Sequence, residues 1–170
     1  MSDETGTGSG DNARSLSMIV TKGSLDWAYP PFILATTAAA MGLNVSMFFT
    51  FYGLTLLKKK LDTKVTTLGN PAMEMPMLGT HLQMPNMLAA LPGASALTTA
   101  MMKKVIAGKN IASIEELREA ALAADVTLIA CQMTMDMFDY GLDDLIDGPE
   151  LGGAATYIET ALESDINLFI

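Results

Sequence analysis

Short apolar segments rich in β-branched and aromatic residues alternate with helical segments along this chain of 170 residues. This alternation restricts the fold more than any other feature of the sequence. The strand-like segments are residues 16–21, 44–51, 126–130 and 166–170. Helical segments between them begin at Pro30 and Pro31, and at the capping-box sequence from Ser113 to Glu116. Strands that alternate with helices form a mostly parallel sheet with helices on both faces, so the sequence predicts an α/β fold of this kind.

Composition divides the chain into a tail, a domain and an insertion. Residues 1–12 are polar and glycine-rich, and we expect residues 1–15 to form a flexible tail. Residues 16–170 are long enough to form a single domain with its own core. Within that domain, residues 64–110 hold seven of the 14 methionines and four of the seven prolines. We interpret this part as a Met/Pro-rich insertion, with a helix in residues 85–107.

Charge and cysteine content exclude some functions and favour one compartment. The formal net charge of −9 argues against a nucleic-acid-binding face. A single cysteine fits a reducing compartment, and the first residues lack the pattern of a signal peptide, so we predict a cytoplasmic protein. Residues 27–57 and 75–102 carry no charge apart from His81, but prolines, glycines and polar residues interrupt both stretches. Neither predicts a spanning helix; the second predicts contact with a partner or a membrane surface.

Cys131, the only cysteine, follows the buried strand of residues 126–130. The polar residues Gln132 and Thr134 then lead into a helix. A thiol at such a junction meets unpaired N–H groups and the positive end of a helix dipole. Both favour the thiolate, which is the form that attacks sulfur. Free cysteine is also a common core residue, so position alone leaves a reactive thiol and a core residue as alternatives.

The predicted sheet brings three loops to one edge. In a parallel sheet, ligands and reactive groups gather at the carboxyl ends of the strands. Residues 22–24, residues 51–53 and Cys131 all follow strands in this way. We therefore expect the first two loops to lie beside the thiol.

Four motifs occur in order along the chain: MIVT (18–21), FFTFYGL (48–54), ACQMTMD (130–136) and GGAATY (152–157). Together they resemble the DsrE/DsrF-like family, and within it the DsrE-type branch associated with sulfur oxidation and TusA-like sulfur carriers. The resemblance extends over residues 16–170 and implies a DsrE-like three-layer fold and a homo-oligomer. It also implies that Cys131, which matches the family's cysteine after the strand, carries sulfane sulfur and exchanges it with a TusA-like partner. Some branches have an additional cysteine that this chain lacks, so no mechanism with a second thiol in the same subunit is implied.

A sulfur carrier of this kind needs a thiolate acceptor, donors that stabilise the persulfide, and room for a partner. Cys131 is the acceptor, and the backbone amides near Gln132 to Thr134 are the expected donors. The Thr134 hydroxyl is a further donor, and Gly53 allows a neighbouring loop to approach the sulfur. In the alternative interpretation, Thr134 only caps its own helix and Gly53 only ends a strand.

His81, the only histidine, lies within residues 73–87, which also contain five methionines. Thioether and imidazole groups suit copper(I), so this segment is a candidate soft-metal site. Methionine also fills irregular packing and forms adaptable contact surfaces, which gives a structural alternative. A third interpretation is that His81 reaches Cys131 of its own or another subunit and lowers the pKa of that thiol.

Other classes of protein fit the sequence less well. A nucleotide-binding enzyme has a glycine-rich phosphate loop after its first strand, whereas residues 22–24 contain one glycine, and we predict no cofactor. The sequence thus favours a sulfur carrier or sulfurtransferase-like protein that holds sulfur on Cys131 as a persulfide or thiosulfonate. Whether it acts as an enzyme or by carriage alone is left open. The alternative is a non-catalytic module that docks a protein or a membrane surface through residues 73–87, with or without copper.

Overall fold

The computed structural model describes residues 14–67 and 93–170 in full, and the backbone of residues 74–77 and 80–83. The strands are β1 (Ser15–Val20), β2 (Asn44–Phe49), β3 (Glu74–Met77), β4 (Thr80–Gln83), β5 (Thr127–Cys131), β6 (Glu150–Gly152) and β7 (Ile166–Phe169). The α-helices are α1 (Leu25–Ala40), α2 (Ala94–Gly108), α3 (Ile114–Ala123), α4 (Gln132–Met137) and α5 (Ala154–Leu162). Two 3-10 helices cover Phe51–Leu57 and Leu142–Asp144.

A five-stranded sheet with the order β6-β5-β2-β1-β7 forms the centre of the molecule. Every pair of neighbouring strands in it is parallel. Met47 of β2 lies between Met18 of β1 and Leu128 of β5, and Cys131 at the end of β5 lies opposite Gly152 of β6. Because the strands are parallel, their carboxyl ends share one edge of the sheet, as predicted.

Different elements pack on the two faces of the sheet. On the first face, alternate apolar residues of β1, β2 and β5 form the main core with buried residues of α1 and α3, such as Phe32 and Ile114. On the second face, Phe48, Ile129 and Cys131 pack against Tyr157 of α5. Helices therefore lie on both faces, and the predicted α/β fold class is confirmed.

Helix α1 begins earlier than the sequence predicted. It starts at Leu25, so Pro30 and Pro31 are its sixth and seventh residues rather than part of its first turn. Proline has no N–H, so the carbonyls of Asp26 and Trp27 receive no helical hydrogen bond from these two positions. The proline pair therefore does not mark the start of the helix, since five helical residues precede it.

The segment after β2 also differs from the prediction. The strand was expected to continue to residue 51, but it ends at Phe49, and a 3-10 helix follows from Phe51 to Leu57. Phe51 has a left-handed backbone with φ of 48°, which a strand does not contain. Aromatic residues favour strands in general, so the aromatic run of residues 48–52 hid this change of direction.

Some short elements were missed entirely. Strand β6 has three residues, too few to show a period of two. Within the insertion, β3 and β4 form an antiparallel hairpin that the sequence did not indicate, whereas α2 (Ala94–Gly108) lies where a helix was expected within residues 85–107. Among the described residues, no helix combines the length and the apolar character needed to span a bilayer. The predicted tail of residues 1–15 lies outside the described residues except for Arg14 and Ser15, and Ser15 already belongs to β1.

Helix α3 begins as predicted and carries a buried arginine. Ser113 and Glu116 form the predicted capping box at its start. Arg118 is 6% exposed, and its Nη1 donates to the carbonyl oxygens of Leu56 and Lys58 at 3.0 and 2.8 Å. Burial lowers the pKa of Arg118 from its ordinary value. These bonds fix the end of the 3-10 helix that follows β2.

Replacement of Arg118 tests this anchor. Arg118→Ala leaves two carbonyl groups without their donor, and we expect the free energy of unfolding to fall by about 2–4 kcal/mol. Urea unfolding followed by circular dichroism measures the change, and Lys104→Ala on the exposed side of α2 is the control. A fall no greater than that of the control would contradict the anchoring role.

Candidate functional site

Cys131 lies at the junction that the sequence predicted. It is the last residue of β5 and the N-cap residue of α4, with φ of −70° and ψ of 110°. Its exposed fraction is 3%, and it packs beside Phe48 and Tyr157 on the second face of the sheet. Helix α4 has only six residues, so its dipole is a weak source of positive potential. Hydrogen bonds must therefore supply most of the stabilisation of a charged sulfur.

Thr134 links α4 to the loop after β2. Its side chain is fully buried, and its hydroxyl oxygen accepts a hydrogen bond from the backbone N–H of Phe51 at 3.2 Å. The Oγ1 atoms of Thr134 and Thr50 are 3.1 Å apart. Thr134 thus has contacts well beyond its own helix, and the interpretation of this residue as a simple helix cap does not account for them.

The pKa of the Cys131 thiol is lowered from its ordinary value by neighbouring donors. Burial is the largest single effect and acts in the opposite direction, because it disfavours the thiolate. The hydroxyl and the backbone N–H of Thr134, the hydroxyl of Thr50 and the backbone N–H of Met133 together outweigh it. Polar groups near Cys131 therefore lower the pKa of its thiol in spite of burial, although its side chain makes no capping hydrogen bond at the start of α4.

Thr50 is the site residue that the sequence analysis missed. It is the residue that follows β2, at the same edge of the sheet as Cys131. The available signal was its position between a strand and a glycine-containing loop. The predicted strand of residues 44–51 concealed it, because a residue inside a strand is not expected to turn its hydroxyl toward a neighbouring loop.

Gly53 allows the loop after β2 to approach the end of β1 closely. The sequence had predicted the approach of a loop to the sulfur. A Cβ atom at this position would lie 2.1 Å from the carbonyl oxygen of Val20. The N–H of Gly53 donates to the carbonyl oxygens of Thr21 and Thr50 at 3.0 Å each. Gly53 therefore brings the loop after β2 against the end of β1, and so fixes the loop that carries Thr50 and Phe51.

The other predicted site residues have different outcomes. Gln132 is exposed, and the backbone N–H groups that lower the pKa of the thiol are those of Met133 and Thr134, which lie within the expected range of residues 132–134. His81 pairs with Pro76 in the hairpin, but its side chain lies outside the described residues, as does most of residues 73–87. Its contact with Cys131 and the soft-metal site stay predictions. In residues 14–67 and 93–170, no three histidine, cysteine or acidic side chains are grouped to hold a metal ion.

Exposed apolar side chains surround the buried thiol at this edge. Met133 and Met137 lie one turn apart on α4 and are 65% and 50% exposed. Phe51 and Tyr52 are also exposed on the neighbouring loop, and the ring of Tyr52 stacks on Phe138 with a centroid distance of 5.8 Å. We call Phe51, Tyr52, Met133 and Met137 the apolar rim of the site.

The family model described as DsrE/DsrF/DrsH-like matches residues 12–169. This chain belongs to the DsrE/DsrF/DrsH-like family. It is 58% identical over 157 residues to "Sulfur carrier protein DsrE2" of Allochromatium vinosum, covering 92% of this chain and 98% of that protein. It is 28% identical over 162 residues to "Uncharacterized protein YrkE" of Bacillus subtilis, covering 94% and 99% of the two chains.

A solved structure supports the fold of this family member. The crystal structure of the YchN protein from Escherichia coli aligns with a TM-score of 0.51 over 92% of this chain and 99% of that chain. The sequence identity is 13%, so the likeness concerns the fold alone. The DsrE-like fold inferred from the sequence motifs is confirmed.

The lowered pKa of Cys131 makes stability depend on pH. A group with a lowered pKa in the folded state stabilises that state above its unfolded pKa, and this contribution is lost as the pH falls through the folded value. We expect wild type to gain stability relative to Cys131→Ser as the pH rises from about 6 to about 9. Urea unfolding of both proteins across this range measures the difference. A difference that is constant with pH, or that decreases, would show that the folded protein does not favour the thiolate.

Proposed function

We propose that this protein is a cytoplasmic sulfur carrier that accepts sulfane sulfur on Cys131 as a persulfide and passes it to a small TusA-like carrier. The observation that carries the proposal is the position of Cys131 at the carboxyl end of β5 and the start of α4, where the pKa of its thiol is lowered in spite of burial. A relative that is 58% identical over nearly its whole length is named a sulfur carrier protein, which supports the same conclusion.

Loading of sulfur requires the thiolate of Cys131. With thiosulfate as donor, the thiolate attacks the outer, sulfane sulfur atom and forms a new S–S bond. The bond between that atom and the sulfonate sulfur breaks, and sulfite leaves with the electron pair. The products are Cys–S–S⁻ and sulfite, so charge and electrons balance without an added oxidant. A polysulfide or a protein persulfide reacts in the same way, with a shorter polysulfide or a thiolate as leaving group.

Delivery of sulfur reverses the role of Cys131. The thiolate of a partner cysteine attacks the outer sulfur of the persulfide, and the Cys131 thiolate leaves. A leaving thiolate departs faster when its pKa is low. The donors that lower the pKa of Cys131 therefore assist delivery as well as loading.

The apolar rim supplies a surface for the partner in this transfer. Cys131 itself is almost fully buried, so a partner cysteine has to approach along the edge of the sheet. Methionine side chains adapt to different contact surfaces, and exposed aromatic residues bury a large area on contact. The rim thus fits the surface that surrounds a cysteine on a small carrier protein.

Sulfur loading is tested by intact-protein mass spectrometry after incubation with thiosulfate and with polysulfide. We expect wild type to gain the mass of one or more sulfur atoms, and Cys131→Ser to gain none, because the serine hydroxyl is not a comparable nucleophile for sulfur. Dithiothreitol should remove the added mass. In a separate sample that is not reduced, the loaded protein, freed of excess donor, should transfer its sulfur to a TusA-like carrier in stoichiometric amounts.

Two controls make this experiment decisive. Wild type alkylated at Cys131 before incubation should stay unloaded, because its sulfur is blocked. This control leaves every other residue unchanged. A carrier whose own cysteine is replaced by serine should receive no sulfur from the loaded protein. Equal loading of wild type and Cys131→Ser, or no loading of wild type by either donor, would reject the persulfide mechanism.

Self-association is the second part of the proposal, and exposed apolar residues on the second face support it. Ile158 and Leu162 lie one turn apart on the outer side of α5, with exposed fractions of 55% and 81%. Phe169 on the edge strand β7 is 75% exposed. Large apolar side chains grouped in this way are typical of subunit contacts.

Light scattering coupled to gel filtration tests the oligomer. We expect wild type to have a mass that is a multiple of the 18.1 kDa subunit. Leu162→Lys should lower that mass, because it places a charge in an apolar contact. Glu159→Lys on the exposed surface of the same helix is the control and should leave the mass unchanged. A monomeric wild type, or a Leu162→Lys variant of unchanged mass, would contradict an oligomer formed through α5.

A further inference from the structure

Cys131 is only 3% exposed, although sulfur exchange requires a donor or a partner cysteine to reach its sulfur. The thiol belongs to a buried cluster with Phe48, Ile129 and Tyr157, and Ala161 packs against this cluster. Phe48 and Ile129 are part of the sheet, whereas Tyr157 and Ala161 lie on α5. Among the described elements, α5 is therefore the one that covers the thiol on the second face.

Tyr157 is the main contact of α5 with this cluster. The centroid of its ring lies 5.4 Å from that of Phe48, with an interplanar angle of 34°. Tyr157 is the buried residue of α5, whereas Ala154, Ala155 and Thr156 before it are exposed. The first turn of the helix thus packs on the cluster through a single aromatic ring.

The carboxyl end of α5 is held by hydrogen bonds to the sheet. The hydroxyl of Ser15 in β1 donates to the carbonyl oxygen of Glu163 at 3.1 Å. The side-chain amide of Asn167 in β7 donates to the carbonyl oxygen of Ala161 at 3.2 Å. Asn167 in turn accepts a hydrogen bond from the buried hydroxyl of Ser17. Two strands therefore fix this end of the helix.

The amino end of α5 forms hydrogen bonds only within itself, as far as the described residues show. The N–H of Gly153 donates to Thr156 Oγ1 at 3.2 Å, and the N–H of Tyr157 donates to the carbonyl oxygen of Gly153 at 3.1 Å. A Cβ atom at Gly153 would meet nothing within 4 Å, and its φ of −118° is open to any residue. This structure does not require glycine there, whereas a change of backbone conformation would use its freedom.

The first turn of α5 also packs on the edge strand beside the thiol. Gly152 of β6 lies opposite Cys131 in the sheet. A Cβ atom at Gly152 would lie 2.6 Å from Ile129 Cγ2 and 3.2 Å from Thr156 Cγ2, so its absence allows this close packing. The strand position next to Cys131 therefore carries no side chain, and the first turn of α5 lies over it.

We propose that the first turn of α5 is a lid over Cys131, which Tyr157 holds closed and which opens at Gly153 while the carboxyl end of the helix stays bound to the sheet. Opening breaks the two hydrogen bonds at the amino end, and water replaces them because this end is exposed. It uncovers the sulfur from the side of Gly152. Leu162, the residue of the proposed subunit contact, lies at the end that does not move. The lid rests on the proposed function for its use, since it admits the sulfur donor and the partner cysteine.

Alkylation by iodoacetamide measures access to the sulfur, because Cys131 is the only cysteine. Rate constants are compared at a pH above the midpoint of each profile, where the thiolate is fully formed and only access differs. We expect Tyr157→Ala to raise the rate constant at least about tenfold, because it removes the ring that holds the lid. Tyr157→Phe keeps the ring and should react at the wild-type rate.

Glu159→Ala is the matched control, because Glu159 is exposed on the same helix. This variant should react at the wild-type rate. An unchanged rate constant in Tyr157→Ala, an equal rise in Glu159→Ala, or an equal rise in Tyr157→Phe would each overturn the proposal.

A measurement on wild type decides the question where a variant fails to fold. Below the unfolding transition, the alkylation rate constant should be far below that of the urea-unfolded protein and depend only weakly on urea, because the first turn exposes little surface. A rate constant equal to that of the unfolded protein, or one with the full urea dependence of unfolding, would overturn the lid. Alkylation uses no sulfur donor, so a failure of sulfur loading in wild type rejects the proposed function without affecting this result.

Discussion

The hydrogen bond from the Phe51 N–H to the Thr134 hydroxyl joins the two segments on which the site depends. One segment follows β2 and the other follows β5, and these strands are neighbours in the sheet. The bond occupies one acceptor position of the Thr134 hydroxyl and so links α4 to the loop after β2. Arg118 and Gly53 support it from a distance, because they fix the two ends of the 3-10 segment that supplies the N–H. The core thus positions the Thr134 hydroxyl at the edge of the sheet where Cys131 lies.

A buried thiolate loses the water that stabilises its charge. At this site neutral groups replace that stabilisation. Burial alone raises the pKa of a thiol, since it removes water from the thiolate. Here two backbone N–H groups and two hydroxyls reverse that effect at Cys131. Helix α4 is too short to contribute a large dipole, so the extended backbone at Cys131 matters more than the helix that follows.

Sequence patterns predicted the architecture better than the details of the site. The strands β1, β2, β5 and β7 and the capped helix α3 could be located from apolar runs and one capping box, because both signals are local. Strand β6 and Thr50 could not, since a three-residue strand and the end of an aromatic run have no local signature. Their positions follow from packing against β5 and α4, which the sequence does not display. Cys131 and Thr134 were predicted because a strand end followed by polar residues is a recognisable junction.

Neutral hydrogen-bond donors also suit a thiol that has to accept a sulfur atom and later release it. Nucleophilicity falls as the pKa of a thiol falls, whereas departure from a disulfide-type bond becomes faster. A lysine or arginine beside the sulfur would favour departure and weaken attack, and it would bind the charge of a persulfide strongly. A hydroxyl is neutral, so it stabilises a thiolate without the strong attraction that a cation has for the charge of a persulfide. At Cys131 the groups that lower the pKa are of this kind, which fits a thiol that alternates between nucleophile and leaving group.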